Sequence, residues 1–119
     1  MPQKDLKKYL LDIIQAIEGI EQIASRFTIT DLNVLANKWA VERGVAIVGE
    51  ELYKANNLDG TLPITNISKI IATRHIVVHD YDIVDSTRML IIIQKHLPLL
   101  KEEVENILKK LEQDGHSVN

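Results

Sequence analysis

The chemistry of this chain is concentrated in nine residues, Arg74-His75-Ile76-Val77-Val78-His79-Asp80-Tyr81-Asp82. They hold two of the four His, two Asp and one of the three Tyr, and apolar sequence flanks them. Arg presents a planar fork that grips phosphate oxygens bidentately. His has an ordinary pKa near physiological pH and can move a proton. Together these are the minimum for cleaving a phosphodiester through a neighbouring hydroxyl. His75 and His79 stand four apart and could share a helix face and a metal. The stretch lacks the Glu of a zinc-protease helix, however, and no third ligand is evident, so no metal and no cofactor are expected.

Spacing restricts how the two main candidates can cooperate. Arg74 and His79 are five residues apart, which on an ideal helix points them roughly 140° away from each other. Either the helix ends or distorts near Val78, or two copies of the motif meet across a dimer. Both arrangements remain open at this level.

The elements that must position these residues read at helical period. Leu6, Leu10, Ile13, Ile14, Ile17, Ile20 and Ala24 form one stripe, predicting a first helix from Lys4 to Ser25. A second helix, capped by Thr30 or Asp31, runs to about Asn56 with Leu32, Leu35, Ala36, Trp39, Ala40, Val45, Val48 and Leu52 inward. Gly44 and Gly49 fall inside it, where Gly costs ~1 kcal/mol against Ala, so close packing is expected at both. Asn56 to Gly60 is turn chemistry, closed by Pro63. A third helix starts near Thr65 or Asn66 and reaches toward His79. A fourth, capped by Asp82 or Asp85, runs to His96, where Pro98 kinks or breaks it. Leu97, Leu100, Val104, Ile107, Leu108 and Leu111 mark a last helix, and residues 113–119 a polar tail. Ile76-Val77-Val78 is β-branched but has no evident strand partner. The fold expected is all-α, an up-and-down bundle of four to five helices in one domain over residues 1–119.

Composition agrees. Apolar residues make up 45% and charged residues 26% of 119, a globular balance. With no Cys there is no disulfide framework, thiolate zinc site or cysteine nucleophile. A net charge of −3 argues against coating nucleic acid by bulk charge, but leaves room for a local basic site. No run approaches the ~20 apolar residues of a membrane span, and the N-terminus lacks the apolar core of a signal peptide. A cytoplasmic protein without a membrane partner is expected.

Arg74-(four residues)-His79-Asp80-Tyr81 resembles the Arg-x4-His-x-Tyr motif of the HEPN-domain toxins of the HepT family. Ile47-Val48-Gly49-Glu50-Glu51 resembles the Ile-Gly-Glu segment of that family's second helix. Ile70 to Arg74 resembles the run before the motif. Asp80 to Asp85 and Leu97-Pro98-Leu99-Leu100 resemble the family's C-terminal part. The resemblance extends from about Leu6 to Leu111. One departure is His75, where many members carry Asn.

The resemblance implies an α-helical homodimer, the toxin of a type VII toxin–antitoxin pair, acting as a metal-independent endoribonuclease on RNA. It implies a partner too, an MntA-like nucleotidyltransferase that neutralises the toxin by AMPylation of the motif Tyr. On this chain Arg74 and His79 would be catalytic and Tyr81 the modified, site-lining residue. His75, Asp80 and Glu50 are further candidates for lining the site, Glu50 by pairing with Arg74. Two other readings stay open: a non-catalytic dimeric module that binds the nucleotidyltransferase and is modified by it, and a metal hydrolase built on His75, His79 and Asp residues. Trp39 and the Ile-rich stripes read as core or dimer interface. Lys101-Glu102-Glu103 and Lys109-Lys110 read as solvated faces.

Overall fold

The structure is a computed structural model that describes residues 2–26, 35–75 and 91–118. Every regular element among them is helical, consistent with an all-α HEPN-like bundle.

Helix α1 spans Pro2–Arg26. Pro is tolerated in a first turn, where its missing N–H would have had no intrahelical acceptor. Asp5 in the first turn and Arg26 in the last complement the helix dipole. The apolar stripe read from the sequence is the buried face: Leu6, Leu10, Ile13, Ile17 and Ile20 are all in the core. Truncating one such residue to Ala would cost about 2–5 kcal/mol.

Helix α2 spans Leu35–Leu58 and lies antiparallel to α1. The direction is given by two contacts. Gly44, early in α2, faces Ile20 late in α1, whereas Lys54, late in α2, sits 5.7 Å over the ring of Tyr9, early in α1. A Cβ on Gly44 would come within 2.6 Å of Ile20 Cγ1, so the close approach needs glycine, as its position inside the helix implied.

The inward face of α2 is Val41, Val45, Val48, Leu52 and Ala55. Ala36, Trp39 and Ala40, expected inward, point out, and Trp39 is 50% exposed. The reason is register. Residues two apart on a helix lie roughly 200° apart, so a face centred on Val41 turns Trp39 away from the core. Leu32 lies outside the described residues, as do the proposed caps Thr30 and Asp31.

After α2, Asp59 accepts hydrogen bonds from the Thr61 backbone N–H at 2.9 Å and from its hydroxyl. This Asx turn reverses the chain. Leu62 and Ile64 on either side of Pro63 are buried, and the Ile64 N–H donates to the Leu62 carbonyl at 2.8 Å. Asn66 caps the next helix, but its backbone is left-handed (φ 57°) and its side chain makes no cap bond. The local anchor is Thr65. Its N–H and hydroxyl donate to the Glu103 carboxylate at 3.0 and 2.8 Å.

Helix α3, Ile67–Ala72, is short, and it tightens into a 3-10 turn at Thr73–His75. The departure from regular helix therefore comes at Thr73, before the Val78 region where the spacing of Arg74 and His79 suggested it. Residues 76–90 lie outside the described residues.

The chain is next described from Ile91, already helical. A π-turn at Ile92–His96 leads without a break into helix α4, Leu97–Val118. Pro98 therefore neither ends nor divides the helix. In a regular α-helix its ring would meet the carbonyl of Gln94. The wider turn, in which the Leu97 N–H donates to the Ile92 carbonyl, accommodates it. Residues 113–118 continue α4 rather than trailing from it. Ile93, Leu97, Leu100 and Val104 are buried, and α4 packs on α1.

Lys101 and Glu103 are structural rather than simply solvated. Lys101 Nζ lies 3.2 Å from Glu21 and 3.7 Å from Glu18, tying α4 to α1. Glu103 holds Thr65. No helix among the described residues is long and apolar enough to cross a membrane.

Candidate functional site

The turn that carries Arg74 and His75 rests on one stripe of α2. Val45, Gly49 and Tyr53 succeed one another at four-residue steps and so face the same way. The 3-10 turn lies along this stripe. Thr73 fixes its start. The Thr73 hydroxyl is 2.6 Å from the Ile70 carbonyl on its own helix and 3.3 Å from the Val45 carbonyl across the interface. The Thr73 backbone N–H also donates to the Ile70 carbonyl, the three-residue bond of a 3-10 turn.

Gly49 is the next point of contact. A Cβ there would lie 2.5 Å from the Arg74 backbone nitrogen and 2.6 Å from Thr73 Oγ1. Real Cβ atoms do not approach that closely, so glycine is what lets the turn rest on α2.

One helical turn further on, Tyr53 meets the Arg74 side chain. The guanidinium carbon is 3.5 Å from the ring centroid, a stacked cation–π contact. Arg74 Nε donates to His75 Nε2 at 3.2 Å. A neutral His75 thereby carries its proton on Nδ1. Arg74 is half-buried and His75 exposed. Stacking occupies a face of the guanidinium and leaves its remaining in-plane N–H groups to bind an anion.

The surroundings tune Tyr53. Its phenol is held below the ordinary value of 10.0, first by a hydrogen bond from Asn57, then by hydrogen bonding from Arg74 and by the charge of that guanidinium. Burial and the negative charge of Glu50 oppose this more weakly. Glu50 stands three residues before Tyr53 on the same helix, near enough for its charge to reach that phenol. Among the described residues it forms no ion pair with Arg74, which stacks on Tyr53 instead.

Of the residues singled out in the sequence, Arg74 and His75 are brought together and Glu50 lies nearby. His79, Asp80 and Tyr81 lie outside the described residues. Sequence reasoning missed Tyr53, Asn57 and Thr73. A signal for Tyr53 was present: it stands one helical turn beyond a glycine that must face another backbone.

A model of the family described as "Ribonuclease HepT-like" matches residues 13–107. Among curated proteins, the chain is similar to "Putative RNase MJ1216" of Methanocaldococcus jannaschii, 26% identical over 94% of this chain and 94% of the relative. It is also similar to "Putative RNase MJ0125" of the same organism, 27% identical over 95% of this chain and 99% of the relative. No solved structure matches it with significance.

Proposed function

The chain belongs to the HepT-like ribonuclease family and is a HEPN-type RNase, and from that premise we propose that it is a metal-independent endoribonuclease working through Arg74 and His79, with Tyr81 beside them. The observation that carries this reading is the stacked Arg74 guanidinium, seated on α2 and held off any carboxylate among the described residues.

His79 would take the proton from a ribose 2′-hydroxyl. The 2′-oxygen then attacks the adjacent phosphorus, the bond to the 5′-oxygen breaks, and that oxygen leaves with a proton from a protonated His. A 2′,3′-cyclic phosphate and a 5′-hydroxyl result. Arg74 would bind the non-bridging oxygens as negative charge builds on them, the step where a preorganised cation contributes most. Dependence on the 2′-hydroxyl confines the reaction to RNA. In a homodimer the Arg and His of both protomers could share the work.

We propose further that the chain is the toxin of a type VII toxin–antitoxin pair, a reading that rests on the family to which it belongs. An AMP group on Tyr81, transferred by an MntA-like nucleotidyltransferase, would bring bulk and a negative phosphate to Arg74. It would compete with the RNA phosphate for that cation. The test is intact mass and peptide mapping after co-expression with such a nucleotidyltransferase. One or more AMP additions on Tyr81, with loss of RNA cleavage, are expected. A complex that inhibits cleavage with Tyr81 unmodified would overturn the AMPylation step.

A further inference from the structure

We infer that Tyr53 is a positioning residue for this site: its ring is the platform that orients the Arg74 guanidinium for the RNA phosphate. The inference rests on the proposed role of Arg74 and adds a residue outside the Arg-x4-His-x-Tyr motif.

Three observations on one face of α2 carry it. Thr73 is bonded to the Val45 carbonyl, the Arg74 backbone nitrogen passes where a Gly49 side chain would stand, and the Arg74 guanidinium lies 3.5 Å over the Tyr53 ring. The backbone and the head group of one arginine are thus each seated on residues four apart on the same helix. Arginine otherwise loses much rotamer entropy on being fixed. A ring beneath the guanidinium meets part of that cost before substrate arrives. The stack also sets the plane in which the N–H groups project, and His75 Nε2 accepts from one edge. What remains is an oriented fork. The pairing is specific in kind: an aliphatic residue at 53 would fill space without binding a cation, and a phenylalanine would keep the stack.

The experiment compares Tyr53→Leu, Tyr53→Phe and Arg74→Ala in steady-state RNA cleavage, with the Arg74 Hδ resonances read by NMR in each tyrosine variant. In the native protein those protons are expected upfield, under the ring current. Tyr53→Leu should lose the upfield shift and lower kcat about tenfold, with KM changed less than about twofold, because an oriented cation acts mainly on transition-state charge. Tyr53→Phe should keep the shift and stay within about threefold of native kcat. Native kcat or an unmoved Arg74 resonance in Tyr53→Leu would overturn the inference. So would a Tyr53→Phe as impaired as Tyr53→Leu. The two levels separate cleanly. Loss of cleavage in Arg74→Ala with none in Tyr53→Leu rejects the platform and keeps the site. Native cleavage in Arg74→Ala rejects the site reading, and the platform's role with it.

Discussion

The guanidinium of Arg74 stacks 3.5 Å above the ring of Tyr53, a residue 21 positions earlier on a different helix. That contact joins the turn carrying Arg74 to the body of the bundle. It depends on a glycine one turn away, because only at Gly49 can the 3-10 turn come close enough to bring the side chain over the ring.

Glycine substitutions should therefore act oppositely at two positions. Gly49→Ala gains up to ~1 kcal/mol of helix propensity, but forces the Arg74 backbone and Thr73 away, an overpacking cost of about 1–3 kcal/mol. Net destabilisation is expected, with a larger fall in cleavage than in stability. Gly19→Ala meets nothing within 4 Å and should stabilise the fold by about 0.5–1 kcal/mol. Urea denaturation of the two variants checks both signs.

Tyr53 should ionise at a lower pH than a free tyrosine. Its folded pKa lies below the ordinary 10.0 because of Asn57 and Arg74. A lowered acid stabilises the fold only where it ionises more readily than in the unfolded chain. The contribution is complete above pH 10.0 and is lost as pH falls through the lowered folded value. An alkaline ultraviolet titration should show one phenol moving up in both Asn57→Ala and Arg74→Ala. An unchanged titration would count against the contact.

Lys101 ties α4 to α1 through Glu21 and Glu18. Its folded pKa is raised, chiefly by the hydrogen bond to Glu21. The resulting stability is fully present below the ordinary Lys value of 10.5 and is lost as pH rises through the folded value. Because the acidic partners are open to solvent, Lys101→Met should cost only about 0.5 kcal/mol at low salt, and less at high salt. Denaturation at two ionic strengths measures the difference.

Glu103 anchors Thr65 by three contacts of 3.2 Å or less. Glu103→Ala should cost about 1–2 kcal/mol, since a charged acceptor of backbone and hydroxyl donors is removed. Glu103→Gln should retain part of this. Thermal unfolding of both variants gives the ranking.

Much of the fold is legible residue by residue. The Leu6-to-Ile20 stripe is the buried face of α1, because period alone decides which side of an amphipathic helix meets the core. Gly44 and Gly49 stand where backbones or side chains press close, as glycines inside a helix suggest. Trp39 departs from its expected place because α2 offers two apolar registers, and only packing against α1 selects the one centred on Val41. Pro98 announces a disturbance, but whether a helix breaks or widens depends on its neighbours; here it widens. The tightening at Thr73 comes from contacts with Val45 and Gly49, far back along the chain on α2. The same distance hid Tyr53, an ordinary helical tyrosine until the turn folds onto it.

The proposed metal-independent cleavage of RNA by Arg74 and His79 is tested most directly with a defined RNA and the purified, unmodified protein in excess chelator, alongside Arg74→Ala and His79→Ala. Cleavage by the native chain, 2′,3′-cyclic phosphate ends on the products and a loss of about a hundredfold or more in each variant are expected, the scale on which positioned acid–base groups and preorganised cations act. Native-level cleavage by either variant, or activity that chelator abolishes, would contradict it.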